Sequence, residues 1–127
     1  MPRTYICPNP AIYSGKVIDT GQCVAFVEAA AGAPTTPSWR SGAKVQGNLT
    51  IPPGTAIAIF DATGLYGNHT NGTSHAAIYM GQSSSGLFVW DQWKGQPVHQ
   101  RVIRFKSPGD GMKVDNGIYF NVIETAE

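Results

Sequence analysis

Residues 21–32 read GQCVAFVEAAAG, and this stretch predicts the helix against which the rest of the chain packs. Small and apolar side chains fill it. Three of them recur at the spacings of three and four residues that define one helix face, at Val24, Val27 and Ala31. Gly32, with a proline two residues later, is typical of a helix end. The pattern therefore predicts a helix with Cys23 in its first turn.

After this helix the sequence alternates between short apolar runs and turns. Residues 33–54 are rich in proline and glycine and are predicted to form a loop. About five strands are then predicted from β-branched and aromatic runs closed by turn signals, at residues 55–60, 75–80, 87–93, 98–105 and 118–123. This order indicates an α+β fold with an antiparallel sheet, in a single domain over residues 1–127.

The composition excludes several classes of protein. The 127 residues are 42% hydrophobic but only 13% charged, which excludes a coiled coil and a charged disordered chain. Nine basic and eight acidic side chains, spread along the chain, argue against a nucleic-acid-binding surface. No apolar run is long enough to span a membrane, and residues 1–14 lack the apolar core of a cleavable signal peptide. Residence in the cytosol and export without such a signal both remain open.

Cys23 is the strongest candidate for a reactive side chain. In the first turn of a helix, unpaired backbone N–H groups and the positive end of the helix dipole lower the pKa of a thiol. The same amides are suited to hold an oxyanion. Two alternatives are open: Cys23 is a small buried side chain on the packed helix face, or it forms a disulfide with Cys7.

A nucleophilic thiol needs a base. His75 opens an apolar strand directly after a polar loop, a position from which a side chain held by a sheet can reach a cleft. His69 and His99 lie among polar residues and are expected to be solvated. His75 is therefore the predicted base, with a hydrogen-bonded histidine at a strand end as the alternative.

Asp91 is the predicted partner of His75. It is a lone carboxylate in an apolar strand, where burial requires a partner. If the hairpin pairs Met80 with Gly86, Asp91 lies opposite His75, and a shift of two residues leaves them diagonal. A shift of one residue would instead turn Asp91 outward. The expected contact is from His75 Nδ1–H, which leaves Nε2 for the thiol.

Several motifs resemble those of known cysteine amidases. Residues 21–27, GQCVAFV, resemble the Gly-Gln-Cys motif that opens the catalytic helix of cysteine, histidine-dependent amidohydrolase (CHAP) domains. Residues 75–79, HAAIY, resemble the His-led strand of CHAP and NlpC-type papain-like peptidases. From Tyr13 to Phe105 the chain is most similar to small type VI secretion amidase effectors of the group that cuts D,D cross-links, in the stretches GQCVAFVEAAAGAPTTPSWRSG, GTAIAIFD, HAAIYMG and VWDQW.

The resemblance implies a papain-like fold and a role for five residues. Cys23 corresponds to the family nucleophile, His75 to the base and Asp91 to the residue that orients the base. Gln22 stands directly before the nucleophile, as in CHAP domains. Tyr13 matches the place of a tyrosine that helps to hold the oxyanion in NlpC-type enzymes.

The tryptophans are candidates for a groove that binds glycan or peptide. Trp90 is expected in the core, the commoner place for a tryptophan in a strand. Trp93 has the parity of Asp91 along the strand and is expected to face the cleft. Trp39, in the predicted loop, is left open.

The resemblance also implies a toxin that the type VI secretion apparatus injects into the periplasm of a neighbouring bacterium. There it would hydrolyse amide bonds of peptidoglycan peptides, with the bond between diaminopimelate and D-alanine as the expected target. A cognate immunity protein is the implied partner in the producing cell. No metal or other cofactor is expected, because the cysteines and histidines lack zinc spacing. A non-catalytic domain that binds wall peptides or a protein, with Cys23 buried, stays open, as does transglutaminase or deamidase chemistry.

Overall fold

The computed structural model describes residues 2–126, and within them one α-helix packs against an antiparallel sheet of six strands. The helix, α1, is Cys23–Ala31. The strands are β1 (Arg40–Lys44), β2 (Thr55–Ile59), β3 (Ala76–Gln82), β4 (Gly86–Trp93), β5 (Gln96–Arg104) and β6 (Phe120–Glu124). Their order across the sheet is β1-β6-β2-β3-β4-β5. The arrangement confirms the α+β fold predicted from the sequence.

Helix α1 begins at Cys23 itself. Gln22 precedes it with extended backbone angles, and Gly32 ends it at φ 71°, in the left-handed region that favours glycine. Phe26 and Val27 are fully buried against the sheet. No helix within residues 2–126 has both the length and the hydropathy needed to cross a membrane.

The two faces of the sheet bury two separate cores. Strand β2 is central and buried along its whole length. On the face that α1 covers, the core includes Phe26, Ala58, Ile78, Trp90 and Trp39. The opposite face packs under the segment that leads into β6, and its core includes Ile57, Leu87, Val89, Ile103 and Phe120. Trp90 thus lies in the core as predicted, and Trp39, left open by the sequence, lies there too.

The segment predicted as a loop contains a strand. Strand β1 pairs with β6 at the edge of the sheet, and its side chains are mostly exposed. Its sequence, RSGAK, has no apolar alternation, because neither of its faces is covered. Pairing with a strand from the far end of the chain creates this element.

A bulge in β3 decides which side chains share a face. At the turn, Gln82 pairs with Leu87, a register that would separate His75 from Asp91. The register shifts by one residue between Tyr79 and Gly81, so that Ile78 pairs with Trp90. In this register His75 and Asp91 are on one face as diagonal neighbours. The sequence allowed a register two residues away from the one that puts Asp91 directly opposite His75, and the structure has this register. Met80 does not pair with Gly86.

Candidate active site

Cys23 lines a cleft of about 570 Å³ at the N-terminus of α1. Its side chain is half-buried, and Cys23 and Cys7 both carry free thiols. Cys7 is 2% exposed, and burial raises the pKa of its thiol more than a backbone hydrogen bond at Asn9 lowers it. Cys23 is therefore neither half of a disulfide nor sealed in the core, the two alternatives that the sequence left open.

His75 and Asp91 form a buried pair beside this thiol. His75 Nε2 lies 2.7 Å from Asp91 Oδ2, and the Asp91 side chain is fully buried. The ring nitrogens are used in the reverse of the predicted order: Asp91 binds Nε2, so Nδ1 is the nitrogen left for Cys23. His75 just precedes β3, and its ring is within hydrogen-bonding reach of the Cys23 thiol.

The three groups shift one another's pKa values. Burial is the largest effect on Cys23 and raises its pKa, but hydrogen bonding and charge from His75, aided by the Ala76 backbone and the Tyr66 hydroxyl, outweigh it and lower the pKa. Burial lowers the pKa of His75, but hydrogen bonds and negative charge from Asp91 and Cys23 raise it from 6.5 to about 9. The site therefore favours a thiolate beside an imidazolium.

Two further cationic or basic side chains surround Asp91. Arg101 Nε lies 2.8 Å from Asp91 Oδ2, and His99 Nε2 lies 3.0 Å from Oδ1. The His99 contact lacks hydrogen-bond geometry, and both of its atoms are buried without a hydrogen-bond partner among the described residues. Burial raises the pKa of Asp91, but His75 and then Arg101 lower it to a greater extent. The expectation of a solvated His99 is wrong, and Arg101 belongs to the same cluster.

The tyrosine beside the thiol is Tyr66, not Tyr13. Tyr66 OH lies 3.9 Å from Cys23 Sγ, and its ring is buried against Trp39 at a centroid distance of 5.0 Å. Tyr13 instead packs edge-on against Phe26, 5.8 Å away, on the core side of α1. Tyr13 is not among the residues that line the cleft. Tyr66 was missed because it lies in a loop that has no periodic pattern.

Gln22 and Trp93 both line the cleft. The Trp93 ring is 40% exposed and lies 6.3 Å from the His75 ring, so it has the orientation predicted from its parity with Asp91. Gln22 is exposed, and its carbonyl oxygen accepts a hydrogen bond of 2.8 Å from Gln92 Nε2. Across residues 2–126 no group of three or more His, Cys, Asp and Glu side chains is arranged to hold a metal ion.

Gln92 was also missed by sequence reasoning. It is fully buried and bonds both the N–H and the carbonyl of Ile18, at 3.0 and 2.9 Å, in addition to the Gln22 carbonyl. These bonds attach the chain before α1 to β4. Successive strand residues point to opposite faces, so β4 holds His75 through Asp91 and the start of α1 through Gln92.

Comparison with known proteins supports the resemblance drawn from the motifs. The profile of the family described as domesticated amidase effector 2 matches residues 1–123. The type VI secretion amidase effector 2 protein of Salmonella typhi is 33% identical over 129 residues, which cover 100% of this chain and 96% of that protein. Domesticated amidase effector 2 of Ixodes scapularis is 36% identical over 110 residues, 81% of this chain and 74% of that protein.

A solved structure of a type 6 secretion amidase effector 2 superposes with a TM-score of 0.84 at 32% identity, covering 97% of this chain and 96% of that one. This likeness confirms the papain-like α+β fold that the motifs implied. The sequence identity, the coverage and the fold agree with one another. The chain therefore belongs to the domesticated amidase effector 2 family.

Proposed function

We propose that this protein is a cysteine amidase that hydrolyses peptidoglycan peptides, with Cys23 as nucleophile, His75 as base and acid, and Asp91 as the residue that orients His75. One observation carries the proposal: a half-buried thiol at a helix N-terminus lines a cleft beside an imidazole that a fully buried carboxylate holds at 2.7 Å. A non-catalytic binding domain has no use for this arrangement, which lowers the pKa of Cys23 and raises that of His75.

In the first half of the reaction the Cys23 thiolate attacks the carbonyl carbon of the amide. A C–S bond forms, and the electron pair of the C=O double bond moves to oxygen. Backbone N–H groups at the start of α1 and the Tyr66 hydroxyl, 3.9 Å from Cys23 Sγ, are donors for this oxyanion. Burial, the charge of Cys23 and its hydrogen bond raise the pKa of Tyr66, so the hydroxyl keeps the proton that it donates. The C–N bond then breaks as the His75 imidazolium gives its proton to the amine.

The second half of the reaction releases the thioester. Neutral His75 takes a proton from water, whose oxygen attacks the thioester carbonyl. The C–S bond breaks, the carboxyl product leaves, and the thiolate and imidazolium are restored. Asp91 keeps the ring fixed through both halves, since its bond to Nε2 leaves Nδ1 directed at the reacting atoms.

The amide bond between diaminopimelate and D-alanine is the proposed substrate, following the group of effectors that the motifs resemble. The names of the relatives support delivery by type VI secretion into a target bacterium. We place the site of action in the periplasm, where the peptide cross-links lie. A cognate immunity protein that covers the cleft in the producing cell belongs to the same proposal.

The test is digestion of purified peptidoglycan sacculi, with the released muropeptides identified by mass spectrometry. Cys23→Ala and His75→Ala should release no fragments, while the matched cysteine variant Cys7→Ala should release the wild-type set. Unchanged products from Cys23→Ala would overturn the nucleophile assignment. Products that retain the diaminopimelate–D-alanine bond would refute the proposed bond but not the chemistry. Deamidated products would indicate hydrolysis of a primary amide, and cross-linked products would indicate acyl transfer to an amine instead of to water.

A further inference from the structure

Arg101, on edge strand β5, reaches the carboxylate that holds the proposed base. Its Nε lies 2.8 Å from Asp91 Oδ2, the same oxygen that binds His75 Nε2 at 2.7 Å. Asp91 is fully buried and the Arg101 side chain is only 19% exposed, so solvent screens this charge pair poorly. One carboxylate oxygen is thus shared between the imidazole and a permanent cation.

Contacts on several sides fix the Arg101 side chain. Nη1 lies 3.4 Å from Asp115 Oδ1, and Nη2 donates to the Val114 carbonyl at 3.3 Å. The guanidinium carbon lies 5.1 Å from the centre of the Trp93 ring, whose face it covers. A long side chain held in this way has little freedom left to lose, so it is a rigid support for Asp91.

We propose that Arg101 is a positioning residue for the Cys23, His75 and Asp91 site. It holds Asp91 Oδ2 toward His75, and its constant positive charge sets the pH range in which His75 and Cys23 exist as imidazolium and thiolate. The inference rests on the proposed function, because it concerns the same three residues. It adds a fourth residue, which lines the same cleft and acts on His75 through Asp91.

The sign of the pH effect follows from the surrounding charges. Asp91 is faced by His75, by Arg101 and by His99, while Arg101 is also faced by Asp115. On the far side of His75 stand Cys23 and, beside it, Tyr66. An arginine side chain stays charged over the whole working range. Removing a fixed positive charge raises the pKa of each nearby group, so the whole activity profile moves to higher pH.

The experiment measures alkylation of Cys23 by iodoacetamide against pH, followed on the Cys23 peptide by mass spectrometry. Arg101→Met keeps an unbranched apolar stem and removes the charge. The acidic limb of the alkylation profile should move up by roughly one pH unit. Arg101→Lys keeps the charge but loses the planar guanidinium, so its alkylation profile should stay at the same pH. In sacculus digestion kcat should fall about tenfold for both variants, with KM little changed.

Arg104→Met is the matched control. Arg104 lies on the same strand, is exposed, and loses the same charge in the same substitution. Its alkylation profile should match the wild type. Arg101→Gln, which keeps an N–H donor, gives the same measurement if Arg101→Met does not fold.

An unmoved profile in folded Arg101→Met or Arg101→Gln would overturn the inference, even if the variant were less stable, since a purely structural role does not shift pKa values. A shift of the same size in Arg104→Met would also overturn it. The alkylation readout does not depend on the substrate. If the Arg101 variants showed the predicted shift but Cys23→Ala still digested sacculi, the proposed function would fail while the inference about Arg101 stood.

Discussion

Replacing Asp91 by asparagine separates the charge of this residue from its shape. The amide of the Asp91→Asn variant would keep an oxygen near His75 Nε2 but would lose the negative charge that raises the pKa of His75. The rise of that pKa from 6.5 to about 9 corresponds to roughly 3 kcal/mol of preference for the imidazolium. Asp91 and Cys23 both contribute to this preference. Loss of the contribution from Asp91 should reduce the population of the thiolate–imidazolium pair by roughly 10- to 100-fold.

The same substitution has a cost in stability. Neutralising one partner of a buried ion pair destabilises proteins by about 3–5 kcal/mol, because the other charge is left unpaired. Arg101 is partly exposed and keeps Asp115 at 3.4 Å, so we expect the lower end, about 3 kcal/mol. For a chain of 127 residues this is a fall in Tm of roughly 10 °C.

The assay is the pH dependence of kcat/KM on sacculi, below the Tm of each variant. The wild type should lose activity on the alkaline side near pH 9, where His75 loses its proton. In Asp91→Asn this limb should move to lower pH by more than one unit, because the effect that raised the pKa is gone. Asp91→Ala, which also loses the orienting oxygen, should be slower again. An alkaline limb that stayed in place in Asp91→Asn would refute the role of its charge.

Three further outcomes are expected. In folded wild-type protein at mildly acidic pH, iodoacetamide should label Cys23 much faster than Cys7, since the pKa of Cys23 is lowered and that of Cys7 is raised; slow labelling of Cys23 would favour a binding domain. Tyr66→Phe should lower kcat by about 10- to 100-fold while Tm changes little, because only the hydroxyl near Sγ is lost, and an unchanged kcat would exclude it as an oxyanion donor. In Cys23→Ala, where Asp91 still raises the pKa of His75, the free energy of unfolding should fall by roughly 1–3 kcal/mol as pH rises above 6.5. The pKa of His75 is raised in the folded state, so the stabilisation by its proton is fully present below pH 6.5 and is lost as the pH rises. Urea denaturation measures this fall, and the double variant with His75→Gln should not show it.

Much of the fold is predictable because apolar periodicity reports burial. Helix α1 and strands β2 to β6 are within a few residues of their predicted bounds, since each has a covered face that requires apolar side chains. Strand β1 has no covered face, and its polar sequence is indistinguishable from a loop. It exists because β6, from the far end of the chain, pairs with it. Such long-range pairing leaves no local signal.

The candidate site also contains some residues that local sequence predicts and others that it does not. Cys23, His75 and Asp91 stand out because each is unusual in its local context: a thiol opening a helix, an imidazole and a carboxylate in apolar strands. Arg101 and His99 do not stand out. They lie with Gln100 in a polar stretch of an edge strand, and only the pairing of Asp91 with His99 shows that they converge on the carboxylate. The resemblance led to Tyr13 because it supplied a spacing along the chain, whereas the structure brings Tyr66 to the thiol from a loop.

Strand β4 shows why register matters more here than composition. Asp91 and Gln92 are adjacent, and their hydrogen bonds to His75 and to the chain before α1 show that their side chains point to opposite faces of the sheet. One binds His75 and the other binds the Gln22 carbonyl directly before the nucleophile. The distance between the proposed base and nucleophile is therefore set by one short piece of backbone. The bulge in β3 is what lets both contacts exist together, because without its extra residue the register at the turn would place His75 on the face that Gln92 uses. A deletion within that bulge would therefore disrupt the site more than most substitutions of the residues that line the cleft.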